Sequence, residues 1–131
     1  MTGLDTNVLV RYIMQDDPAQ CRKASLLIES LTAQNPAFIS MIVVIELYWV
    51  LTESYDLRKD QAADAIDALL QFQEIQVERA EQVRQALRLH RIKSSDFADC
   101  LILQISKNAG CESVATFDLK AAKNIGMTLI R

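Results

Sequence analysis

Short apolar runs alternate with longer helical stretches along the chain, and this alternation restricts the fold more than any other feature of the sequence. MTGL, NPAFIS, EIQVE, ESVAT and MTLI read as short strands, with segments of helical pattern between them. Strands separated by helices pair in parallel, and a parallel sheet must be covered on both faces. The sequence therefore predicts an α/β fold, a three-layer α/β/α sandwich with a mostly parallel central sheet of about five short strands. The helical stretches carry their own punctuation. In QDDPAQ, Asp17 is placed to cap a helix with Pro18 at its first position, and that helix is expected to run to about Ala33. Ser40 can cap MIVVIELYWVLTESY, and DLRKDQAADAIDALLQF is amphipathic. ERAEQVRQALRLHR is helical with a mixed polar outer face. KSSDFADCLILQISKNAG begins near Ser94 or Ser95 and ends at Gly110, and Asp118 starts LKAAKNI, which Gly126 ends.

The chain has 131 residues, long enough for one domain (1–131) with a real core, and no boundary, repeat or low-complexity tract divides it. The net charge is −3 with no basic tail, which argues mildly against a nucleic-acid-binding domain of the basic type. It leaves room for an enzyme that meets a phosphate through a bound metal. No basic region followed by an apolar run resembles a signal peptide, and MIVVIELYWVL is too short to span a bilayer and carries Glu46. Cys21, Cys100 and Cys111 show no CxxC spacing, and read as free thiols in a reducing cytoplasm.

The carboxylates carry the chemical information. In α/β folds, sites lie beyond the carboxyl ends of the strands. Asp5 stands there after the first strand, in LDTN, and Asp118 after the fourth, in ATFD. Capping competes for each, because Asp is a favoured residue before a helix. Glu46 has Ile42, Val43, Trp49 and Val50 as its helical neighbours, so its helix is expected to be buried. A buried carboxylate must be neutral, paired or bound to a cation. A salt bridge or a reach to the rim of the core is the plainer account of Glu46, and a functional role the sharper one. Asp96 and Asp99 share one face at a helix start. Complementing the helix dipole suits Asp96 well and Asp99, a turn deeper, less well.

Acids gathered from separate segments repel one another, and a divalent cation relieves the repulsion. All-oxygen ligands suit Mg²⁺ or Mn²⁺, and no His/Cys cluster favours zinc. A carboxylate-held hard cation points to phosphoryl chemistry. His90, the only histidine, reads as an exposed helix residue, and Trp49 and Tyr48 read as core or dimer contacts.

LDTNVLVRY, ISMIVVIELYWVL, SSDFADCLIL and ATFD, in this order and spacing, resemble the PIN-domain proteins and specifically the VapC-type toxins of toxin–antitoxin pairs. The resemblance covers nearly the whole chain. It implies a metal-dependent endoribonuclease that hydrolyses RNA phosphodiester bonds with Mg²⁺, or Mn²⁺. Its acidic positions fall on Asp5, Glu46, Asp99 and Asp118 as metal ligands and catalytic residues, with Asp96 in support. Thr6, Asn7 and Thr116 match polar positions that orient carboxylates or waters. The resemblance also implies a homodimer, and a cognate antitoxin that covers the acidic groove, docks on apolar surface of the N-terminal helices and links the pair to DNA. Arg11, Arg91, Lys93 and Lys120 lie near the motifs and could touch the RNA backbone, although solvation suits each of them alone.

Rival readings fit less well. A haloacid-dehalogenase-like phosphatase needs a second Asp where Asn7 stands. A receiver domain needs a phosphoacceptor Asp after the third strand, where Glu78 stands, and a Lys after the fifth, where Arg131 ends the chain. A P-loop or Rossmann site needs a glycine-rich turn that DTN does not provide. A non-catalytic interaction domain has no need of Glu46 in an apolar helix. A non-toxin PIN-domain RNA-processing nuclease is the alternative within the family.

Overall fold

The computed structural model describes residues Met1–Arg131, which fall into two compact units, Met1–Glu78 and Arg79–Arg131.

The first unit is built on a three-stranded parallel sheet. β1 (Thr2–Gly3) pairs with β2 (Ala37–Ile39), and β2 with β3 (Ile75–Val77), in the order β1-β2-β3. Thr2 faces Ala37, and Ala37 faces Ile75. The central strand is the buried one, with Ala37 and Ile39 sealed in the core, whereas both β1 residues are exposed. β1 is thus an edge strand of this sheet, and Leu4, the residue after it, is the first buried side chain of the chain. Because the strands are parallel, their carboxyl ends lead to Asp5, Ser40 and Glu78 at one edge of this sheet.

α1 (Thr6–Met14) starts on Asp5, and α2 (Pro18–Glu29) starts on Asp17 with Pro18 at its first turn. α2 stops four residues short of the expected Ala33. Ser30 Oγ bonds the Leu27 carbonyl at 2.6 Å, and Thr32 and Asn35 exchange backbone hydrogen bonds in a turn that replaces the last helical turn. α3 (Met41–Trp49) runs into a π-helical turn, Val50–Ser54, where an α-helix to Tyr55 was expected. The Thr52 hydroxyl donates to the carbonyls of Tyr48 (2.9 Å) and Trp49 (3.3 Å), and the Tyr55 N–H reaches back five residues to Val50. Asp56, in the left-handed region, ends the turn. α4 (Lys59–Gln71) returns the chain to β3 and buries Ala62, Ile66 and Leu70 along one face.

The second unit consists of α5 (Ala80–Lys93), α6 (Phe97–Asn108), β4 (Ala115–Thr116), α7 (Leu119–Ile125) and β5 (Thr128–Leu129). β4 and β5 pair in parallel around α7, a small βαβ unit with Gly126 as the left-handed helix end. The five expected strands are all present and all pairs are parallel, but they form ladders of three and two strands. α5 and α6 pack against each other, and Val83, Ala86, Phe97 and Leu101 are buried in these helices. His90 belongs to that core and is not the exposed residue the sequence suggested. It is 3% exposed, its Nδ1 is hydrogen-bonded to the Ser95 carbonyl, and its ring lies 5.9 Å from that of Phe97. The left-handed turn at Ser94 folds the chain back at this point, a conformation that nothing in LRLHRIKSS announces.

Candidate functional site

The eight site residues expected from the sequence fall into two groups, one in each unit. In the first, Asp5 follows β1 and caps α1: its Oδ1 accepts the Thr6 N–H at 2.8 Å. The Thr6 hydroxyl donates to Glu46 Oε1. Thr6 is buried, so it holds both carboxylates from below, one by its amide and the other by its hydroxyl. Asn7 is exposed on α1 and lines a groove with Arg11, Gln20 and Leu27. Glu46 does not have the buried surroundings that its sequence neighbours suggest. Ile42 is 76% exposed and Trp49 61%, so α3 turns this face to solvent, and Glu46 itself is exposed. An apolar composition does not bury a helix when only Val44, Leu47 and the following Leu51 point inward. What ties Glu46 to the site is its bond to Thr6, not the cost of a buried charge.

Glu78, placed after the third strand by the sequence but given no role there, has one in the structure. Its Oε1 accepts the Met41 N–H at 2.8 Å, so an acid at the end of β3 holds the first turn of α3, where Ser40 Oγ also accepts from Val43 at 3.3 Å. The available signal was an acid directly after a strand of a parallel sheet, the same signal that selected Asp5. Arg11 is engaged within its own unit: it donates to Asp16, Tyr55 and Gln20.

In the second unit, Asp96 caps α6 through the Ala98 N–H (3.2 Å), and Asp118 caps α7 through those of Lys120 (2.8 Å) and Ala121 (3.3 Å). The Asp118 N–H in turn donates to Thr116 Oγ1 at 3.0 Å, which fixes the turn between β4 and α7. Capping is therefore a real task of Asp5, Asp96 and Asp118. Each caps with Oδ1, so Oδ2 remains for a further partner. Asp99 differs. It is half-buried, and burial first, then the charges of Asp96 and Asp118, push its pKa upward, with no hydrogen bond to offset them. Three carboxylates thus act on one another here, and the least solvated of them has no donor. Burial, with Asp99 and Asp96 adding to it, also raises the neighbouring Cys100 thiol to about 11, so this cysteine is inert packing.

Oxygen-only donors under mutual repulsion are the chemistry that a hard divalent cation satisfies. No three His, Cys, Asp or Glu side chains of the chain lie closely enough together to enclose an ion. No helix is long and apolar enough to cross a membrane.

The chain is 24% identical over 124 residues to a VapC ribonuclease of Aquifex aeolicus (strain VF5), a match that covers 94% of this chain and 91% of that protein. A solved structure, VapBC2 from Rickettsia felis bound to a DNA fragment from the promoter of the pair, matches over 98% of this chain and 96% of its own at 19% identity and a TM-score of 0.39. The family model of the PIN domain matches residues 4–125, from the residue before Asp5 to the end of α7. That match takes in all the acids described above, and the chain belongs to the PIN domain family.

Proposed function

We propose that the protein is a Mg²⁺-dependent endoribonuclease, the toxin of a VapBC-like toxin–antitoxin pair, in which Asp5, Glu46, Asp99 and Asp118 hold the ion. The observation that carries this reading is Asp99, a half-buried carboxylate without a hydrogen-bond donor that faces the charges of Asp96 and Asp118. Membership of the PIN family and the likeness to a ribonuclease support the substrate class. When bound, Mg²⁺ acidifies a water and screens charge on the phosphate. The chain does the rest by placement. Thr6 orients Asp5 and Glu46 together. The capping bonds lock the rotamers of Asp96 and Asp118, so their second oxygens are presented without further loss of freedom. Water attacks the phosphorus as one phosphodiester P–O bond breaks, the proton lost by that water is balanced by one gained from solvent by the departing ribose oxygen, and no protein nucleophile is needed.

The test is cleavage of single-stranded RNA by the purified protein in Mg²⁺ and in EDTA. The parent cuts only in Mg²⁺, and Asp99→Asn loses about 10²-fold or more, the usual cost of removing one electrostatic contributor at a reacting phosphate or carbonyl. An Asp99→Asn protein as active as the parent would overturn the assignment. The same reading gives an antitoxin peptide a seat in the groove of about 430 Å³ between α1 and α2, where Val8, Ala24 and Leu27 are flanked by Arg11 and Lys23.

A further inference from the structure

Phe117 is the most exposed aromatic side chain that an acid of the site has for a neighbour: it is 80% exposed, whereas Phe97 in the same unit is 1% exposed. It sits between Thr116, whose Oγ1 accepts the Asp118 N–H, and Asp118 itself. The turn that presents it is therefore held by the same bonds that hold Asp118. Thr116 Oγ1 binds one end and the first N–H groups of α7 bind the other. Beyond it on α7 stand Lys120 and Lys123, three and six residues on, both exposed and neither in an ion pair. A ring in water, a carboxylate beside it and two free cations on the adjoining helix match the parts of an unpaired nucleotide. An aromatic face takes a base, and ammonium groups take the backbone phosphates.

We infer that Phe117 is a stacking platform for an unpaired base of the RNA, next to the phosphate served by Asp118, and that Lys120 and Lys123 hold the neighbouring backbone. This rests on the nuclease reading and adds to it the side chain that holds a base of the single-stranded substrate. A base inside a duplex is already stacked on its neighbours and cannot lie on the ring without being extruded.

The experiment measures fluorescence anisotropy of a short labelled single-stranded RNA and of its duplex in EDTA, and cleavage in Mg²⁺. Parent, Phe117→Ala, Phe117→Trp and Leu119→Ala are compared. Leu119 is also exposed but has no π-face. Phe117→Ala weakens single-strand binding about tenfold, within the usual range for one lost base–aromatic contact, and the loss in kcat/KM falls on KM. Phe117→Trp restores both, while duplex binding and the Leu119→Ala protein stay as the parent. If Phe117→Ala binds and cuts like a cleaving parent, the stacking role is overturned and the nuclease reading stands. If the parent neither binds nor cuts RNA, both fall. Equal losses on duplex and single strand, or a change in sedimentation without a change in RNA binding, assign the ring to another contact and overturn the inference.

Discussion

Asp16 shows how one exposed side chain can be set by its neighbours. The Tyr55 hydroxyl donates to Asp16 Oδ2 at 2.7 Å, and Arg11 Nη1 donates to Asp16 Oδ1 at 3.2 Å and to the Tyr55 oxygen at 3.0 Å. The Tyr55 bond, aided by Arg11, holds the Asp16 carboxyl below its ordinary range. A carboxylate with a depressed folded-state pKa contributes stability that is fully present above its unfolded value, about 3.9, and is lost as pH falls through the folded value. Tyr55→Phe is therefore expected to raise the Asp16 pKa in an NMR titration, and to lower Tm at neutral pH by an amount that shrinks in acid below about pH 4. An unmoved Asp16 pKa would show that Arg11 alone holds the charge. At this scale the caps Asp5, Asp17, Ser40 and Asp118 were legible, and each accepts an N–H at the start of its helix; α6 was expected to begin near Ser94 or Ser95 with Asp96 in its first turn, but the left-handed turn at Ser94 delays it and Asp96 is its cap. The sequence did not expose His90, Glu78 or the surroundings of Glu46. Those depend on which residues the fold brings near from distant segments, and spacing along one helix carries no record of that.

α3 shows the same limit for a whole element. Its residues are almost all apolar, and composition marks such a helix as buried. In the structure only one side is buried, and Ile42, Ile45 and Trp49, at spacings of three and four, form an apolar stripe in water. The π-helical turn that follows was equally hidden, since Thr52 directs it through bonds to carbonyls and not through hydrophobic pattern. An exposed stripe of this kind is a contact surface by its composition. The homodimer that the VapC-type resemblance implies is predicted to use this stripe, on two copies of α3. Trp49→Glu is expected to shift the sedimentation of the purified protein from dimer to monomer with its melting transition retained, because Trp49 adds little to the core of its own chain. A parent that sediments as a monomer at micromolar concentration, or a Trp49→Glu protein that still dimerises, would remove α3 from the interface.

For the whole molecule, the decisive quantity is the charge on the acids. The chain carries a net charge of −3, and at Asp99 the folded state adds a local repulsion that the unfolded chain lacks. A carboxyl whose pKa is raised on folding favours the folded state most below its unfolded pKa, and that contribution declines as pH rises through the folded value. At neutral pH without metal, Asp99 is therefore a cost, and Asp99→Asn should melt a few degrees above the parent in EDTA. Mg²⁺ is expected to reverse the order. An ion that binds only the folded state stabilises it by RT ln(1 + [L]/Kd), about 1.4 kcal/mol at ten times Kd, or roughly 5 °C for a domain of this size. The parent should gain that much as Mg²⁺ is titrated in, while Asp99→Asn gains little, so that the two melting curves cross. The alternative has a distinct signature. Were Asp99 only a structural member of the first turn of α6, its replacement would lower Tm in EDTA and Mg²⁺ alike, and the response to the ion would be the same in both proteins.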